Sequence, residues 1–305
     1  METFSDMLSL PFNNTMLTTY GSADTVTSTD MPARLQTYTP EENKSLSDSL
    51  RQRSIKALQP LLATNAANPE RFCTDPDSVV TLTVDPNNHS QLYRRQYPVA
   101  ATLHEAVSNT IARWLQQGRI TRAQTNCKFN SPLLPVPKKD DNGRMTGVRL
   151  CIDVRQLNRF LQEDDKFQIP CIPSILQSFA GNQLFGEFEL SEAYNQFTIA
   201  TESRPYTAFT WDKQQYMCIG CPFGIKHLPS LFQRFMCRLF ADMPFVFPYL
   251  DNIAFASSSW EEHEKHAKLI IDRLNSVNLK VKPASVNYRQ LTHETIRSRS
   301  KCQWY

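Results

Sequence analysis

Val99, Leu103, Val107, Ile111 and Leu115 recur every four positions and stop before Gly118, which predicts a helix over 98–117 with one buried stripe. The pattern then shortens. Leu133 to Val136 and Val148 to Val154 flank a polar stretch containing Lys138, Lys139 and Arg144, the signature of a β-hairpin with a basic, flexible tip. Phe185 to Leu190 alternates, so Glu189 points away from the face of Phe188 and Leu190. Ile175 to Phe179 and Leu231 to Phe240 read as helices. Phe245 to Ala256 is a β-type run interrupted by Asp251-Asn252, the composition of a tight turn. Apolar residues at 260, 267, 270, 271, 274 and 277 predict an amphipathic helix over Trp260–Val277. This mixture of elements predicts an α+β fold.

Composition separates the first 50 residues from the rest. They hold 16 Ser or Thr and seven acids against only Arg34 and Lys44, too little apolar surface to offset chain entropy, so disorder is expected there. The other 255 residues carry 31 bases against 23 acids, an ordinary surface balance. No run of about 18 apolar residues occurs, and the first residues lack a basic stretch followed by a long apolar one; no membrane span and no secretory leader are expected, and the chain reads as intracellular. Eight cysteines are scattered through apolar runs and read as reduced thiols. Only Cys218 and Cys221 have metal-like spacing, with no second pair to complete a zinc site. His263 and His266 fall three apart on the last predicted helix and read as part of its solvated face.

The segments that carry chemistry come in a fixed order: Val148 to Asn158, with Arg149, Asp153 and Arg155; Phe188-Glu189-Leu190-Ser191-Glu192-Ala193-Tyr194; Cys221-Pro222-Phe223-Gly224 running on to Pro229, Phe232 and Gln233; and Tyr249-Leu250-Asp251-Asn252. In this order they resemble the reverse transcriptases of Ty3/gypsy-type retrotransposons, from about residue 78 to about residue 288. The resemblance implies a right-hand polymerase: a palm sheet backed by helices, with fingers from the preceding strands. Taken with the composition, it divides the chain into a mostly disordered segment 1–50, a linker and lead-in 51–95, fingers and palm 96–288 and a basic tail 289–305, with the thumb absent or vestigial.

It also implies an RNA-directed DNA polymerase of a Pol polyprotein, joining dNTPs to a primer on an RNA or DNA template with Mg²⁺ or Mn²⁺. The metal-ligating catalytic positions are Glu189, Asp251 and Asn252. In-line phosphoryl transfer uses two cations about 3.5–4 Å apart, and hard cations want oxygen ligands. Here Glu189 stands where the family has Asp, one methylene longer, and Asn252 replaces an Asp by a neutral amide. Impaired catalysis is therefore expected, the alternative being a non-catalytic nucleic-acid- or protein-binding module. Arg149, with Lys138 or Lys139, takes the positions that clamp the triphosphate. Tyr194, Phe223 and Gly224 take those of the nucleotide pocket, and Gln233 and Tyr249 those of the template–primer region. Pro248 is expected to delete a ladder donor and weaken the hairpin.

Overall fold

The computed structural model describes residues 40–139, 145–162, 166–179, 181–282 and 287–290. Its centre is a four-stranded antiparallel sheet in the order β11-β5-β10-β9, formed by β5 (Leu184–Glu189), β9 (Val246–Tyr249), β10 (Asn252–Ser257) and β11 (Asn287–Gln290). Alternation sorts the side chains. Ile253, Phe255 and Phe188 face the main core, where α6 (Trp260–Ser276) lays down Ala267, Ile270, Ile271 and Leu274. Phe185, Ala254 and Ala256 face the other way, against Ile175 of α4 (Ile172–Ser178) and Phe179. Glu189 and Asn252 share this second face, because they lie two residues on from Glu187 and two before Ala254. Strand alternation therefore places Glu189 and Asn252 on the front of the sheet and α6 on its back.

Gly186 shows how tightly that back face is packed. It lies directly opposite Phe255, and a Cβ on it would sit 2.2 Å from the ring. Phe255 fills the vacancy and is sandwiched between Phe188, at 5.3 Å, and His263, at 4.6 Å.

The fingers side is made of α2 (Ala101–Gln116), the three-stranded sheet β2 (Ile120–Arg122), β8 (Gln214–Cys218) and β7 (Phe209–Trp211), and the hairpin of β3 (Leu133–Lys139) with β4 (Met145–Ile152). Helix α2 ends where Gly118 turns to φ +66. The predicted hairpin tip, 140–144, lies outside the described residues. Two short strands, β1 (Val79–Val80) and β6 (Thr198–Ile199), pair in parallel. Helix α3 (Arg155–Phe160) follows the hairpin, and α5 (Leu228–Leu239) packs beside β9. Among the described residues no helix is long and apolar enough to cross a membrane. The seven described cysteines are free. Burial drives the Cys218 thiol up to about 12 and Cys221 well above its usual value, as expected of structural thiols.

Residues 40–67 are neither disordered nor linker but one helix, α1 (Pro40–Ala67), packed on α6. Ser54, Leu58, Leu62 and Asn65 form its buried stripe, a helical period that the polar composition around it conceals. Residues 1–39 lie outside the described residues. At the other end, Arg289 and Gln290 belong to β11 rather than to a tail, and residues 291–305 again lie outside the description.

The histidines of α6 are not on a solvated face either. His263 is fully buried against Phe255, and His266 stacks on Phe245 at 3.6 Å; both rings reach Ser257 Oγ, at 3.0 and 2.8 Å. Pro248, finally, costs the sheet no ladder bond. In an antiparallel strand the N–H and C=O of one residue point to the same side. The Pro248 carbonyl points away from β10, to Gln233, so its missing N–H also faces the outer edge.

Candidate active site

The hairpin of β9 and β10 turns through two residues, Leu250 and Asp251, between the paired Tyr249 and Asn252. Leu250 takes φ +53, a backbone region that a branched side chain avoids unless its surroundings enforce it. Gln233, fully buried on α5, does so. Its Oε1 accepts from the Leu250 amide at 2.7 Å, and its Nε2 donates to the Pro248 carbonyl at 2.8 Å. The side chain expected beneath the template surface is thus the brace of the acid-bearing turn.

Glu189 ends β5 directly opposite Asn252, and the Leu190 amide donates to the Asp251 carbonyl at 2.8 Å. Glu189, Asp251 and Asn252 accordingly meet at one end of the sheet. Asp251 is half-buried, and burial followed by the negative charge of Glu189 raises its carboxyl above the usual range, against a lowering pull from Lys282. Nothing local in the sequence marks Lys282. Its Nζ donates to both Glu189 oxygens, each at 2.9 Å. A second overlooked acid, Glu187, is buried on the same face, opposite Ala254.

Tyr194 stands over this end of the sheet, edge-on to Phe223 at 5.4 Å and Phe232 at 5.3 Å. Burial, then the nearby charge of Asp251, pushes its phenol to about 12, so it stays protonated. The turn that carries it begins at Glu192, at φ +50, which is held by Arg119 and by Arg71 at 3.4 Å. Phe223 is exposed, whereas Gly224 adopts φ +97 and offers its carbonyl to Asn158 Nδ2 at 2.7 Å. Arg155 is an exposed residue that chelates the buried Asp153 at 2.7 and 2.8 Å.

The basic hairpin is positioned by register. Val136 pairs with Arg149 and Lys138 with Gly147, so Lys138 and Arg149 share a face, while a register shift follows at Lys139. Of the two lysines left open by the sequence, Lys138 is the one aligned with the exposed Arg149.

Acids at the turn of a hairpin, on a helix-backed antiparallel sheet preceded along the chain by a basic hairpin, are the arrangement of the right-hand polymerase class. A family model described as reverse transcriptase (RNA-dependent DNA polymerase) matches residues 136–290, just over half of the chain, and the chain belongs to that family. It is 33% identical over 196 residues to the retrovirus-related Pol polyprotein from transposon 297 of Drosophila melanogaster, covering 64% of this chain and 18% of that one. It is 27% identical over 208 residues to that from transposon gypsy of the same species (67% and 20%). The Tf2-7 polyprotein of Schizosaccharomyces pombe matches at 26% over 200 residues (64% and 14%).

The chain thus spans a fifth or less of these relatives, as a reverse-transcriptase-like domain of the kind found in retrotransposon Pol polyproteins. Among solved structures, the foamy viral protease-reverse transcriptase in complex with dsDNA superposes with TM-score 0.64 at 23% identity, over 86% of this chain and 54% of that one. Its complex with an RNA/DNA hybrid gives 0.61 at 22%, over 84% and 34%. These likenesses establish the expected α+β fold.

Proposed function

We propose that the chain supplies the fingers and palm of a retroelement polymerase, over about 96–290 with α1 as a buttress, and that it grips a template–primer but adds nucleotides poorly or not at all. One observation carries this reading: Glu189 faces Asn252 across the sheet while both Glu189 oxygens are engaged by Lys282. The donor set does not fit a pair of Mg²⁺ or Mn²⁺ ions. It offers two carboxylates, one already ion-paired, and a neutral amide, and among the described residues no three or more His, Cys, Asp or Glu side chains cluster as a metal site. One charge removed 4 Å from a unit charge forgoes about 4 kcal/mol at an effective dielectric of about 20. The lengthened Glu189 displaces its carboxylate by about an ångström, a misplacement that can cost about 10²-fold in rate.

The proposal extends to the other residues that the resemblance singles out. Arg149 and Lys138 would hold the triphosphate, a bidentate task suited to a guanidinium. Tyr194 would wall the sugar pocket with Phe223 and Gly224, and Tyr249 would meet the primer end. RNA and DNA partners are supported by the nucleic acids held in the foamy viral structures.

Primer extension on RNA and DNA templates, with Mg²⁺ and with Mn²⁺, tests the proposal. Extension near background is expected, with a gain in the Glu189→Asp/Asn252→Asp double variant; robust extension by the unaltered chain refutes the impairment. Binding of a labelled primer–template should weaken linearly with log salt, by about 0.9 log units of affinity per phosphate contacted. A flat salt response would eliminate the nucleic-acid grip.

A further inference from the structure

Lys282 is delivered to Glu189 by more than its own long side chain. The segment Leu279 to Lys282 is stitched to the end of β5: the Ser191 amide donates to the Lys280 carbonyl at 2.9 Å, and the Lys282 amide donates to the Glu189 carbonyl at 2.8 Å. Two buried amides lock it from behind. Gln196 accepts from the Lys280 amide at 2.6 Å and donates to its carbonyl at 3.1 Å, while Asn65 of α1 accepts from the Val281 amide at 2.9 Å and donates to the Leu279 carbonyl at 2.9 Å. The backbone beneath Lys282 is therefore fixed, and its ammonium is a tethered partner of Glu189, with a high local concentration there. Its charge also reaches Asp251.

We propose that Lys282 is a built-in counter-cation that competes with divalent cations for Glu189 and keeps the acid pair partly neutralised without metal. The inference rests on reading Glu189 and Asp251 as the cation-facing acids. An exposed ion pair is weak, so a divalent ion can displace it. The displaced ammonium nevertheless remains beside the incoming cation and repels it, and both effects weaken metal binding. Removing the ammonium should release both.

Mn²⁺ titration of the full chain by electron paramagnetic resonance, with calorimetry alongside, tests this. Lys282→Met should bind Mn²⁺ about tenfold more tightly than the parent, and Glu189→Gln added to it should abolish the gain. Lys282→Arg should behave like the parent. Lys280→Met removes a neighbouring positive charge whose Nζ donates to the Asn68 carbonyl rather than to Glu189, and it should change affinity by less than twofold. A gain below threefold in Lys282→Met, or an equal gain in Lys280→Met, overturns the proposal, as does micromolar binding of two ions by the parent chain. Thermal unfolding of each variant verifies folding. Primer–template binding is measured separately in metal-free buffer, so loss of nucleic-acid binding would sink the proposed function and leave the Mn²⁺ result to stand or fall alone.

Discussion

Gln233→Leu tests whether the acid-bearing turn is held from outside the hairpin. The substitution keeps most of the buried volume but removes the acceptor for the Leu250 amide and the donor for the Pro248 carbonyl. Two hydrogen bonds contribute about 1 kcal/mol each, and leaving their backbone partners unsatisfied adds about 1–3 kcal/mol for each that water fails to reach. Pro248 and Leu250 are only half-buried, which favours the low end, so a loss of about 2–3 kcal/mol is expected. Urea denaturation measures the loss, and hydrogen exchange reads the Leu250 amide directly.

Gln233→Glu sharpens the test. An ionised carboxylate still accepts from Leu250 but opposes the Pro248 carbonyl oxygen, and it is a buried charge. Once protonated, it can donate to Pro248 again. The native state then binds a proton that the unfolded state releases more readily, so the variant should gain stability relative to the parent as pH falls below about 6. A loss under about 0.5 kcal/mol for Gln233→Leu, or unchanged Leu250 exchange, would refute the brace.

Gly186→Ala should cost about 1–3 kcal/mol in chemical denaturation, because its Cβ meets the Phe255 ring, and Phe255→Leu in the same background should recover part of the loss. His263, buried neutral, has its pKa depressed to about 4, chiefly by burial. The neutral ring is favoured in the folded state, so its contribution is fully present above about pH 6.5 and is lost as pH falls toward 4. It is worth up to about 3 kcal/mol, and His263→Phe should flatten that part of the stability–pH curve. Asn65→Ala should lower stability by about 2–3 kcal/mol and increase exchange at the Val281 amide, since that amide loses its buried acceptor.

Local patterns made much of this legible. Four-residue apolar spacing marks α2, and the polar insertion between two apolar runs marks the β3–β4 hairpin. Alternation in β5 sets Glu189 apart from Phe188, and the Asp-Asn interruption locates the turn within a residue. What escaped depends on partners far along the chain. Lys282 and Glu189 are 93 residues apart, and Asn65 and Val281 are 216 apart. Pro248 departs from its expectation because the side of an edge strand that faces its neighbour is set by pairing, which composition does not encode. The histidines of α6 depart from theirs for a related reason: their polarity suggests water, whereas Ser257 and two phenylalanine rings receive them.

The position of β5 between β10 and β11 has a consequence during synthesis. Its first sheet partner begins at Asn252, so at about 5–20 residues per second the emerging β5 waits roughly 3–12 seconds with both edges unpaired. Over that interval Phe185 and Phe188 are available to any other extended chain. Slowing elongation between Glu189 and Asn252 should therefore divert more newly made protein into aggregates, while holdase chaperones that mask exposed strands should raise the yield of folded domain.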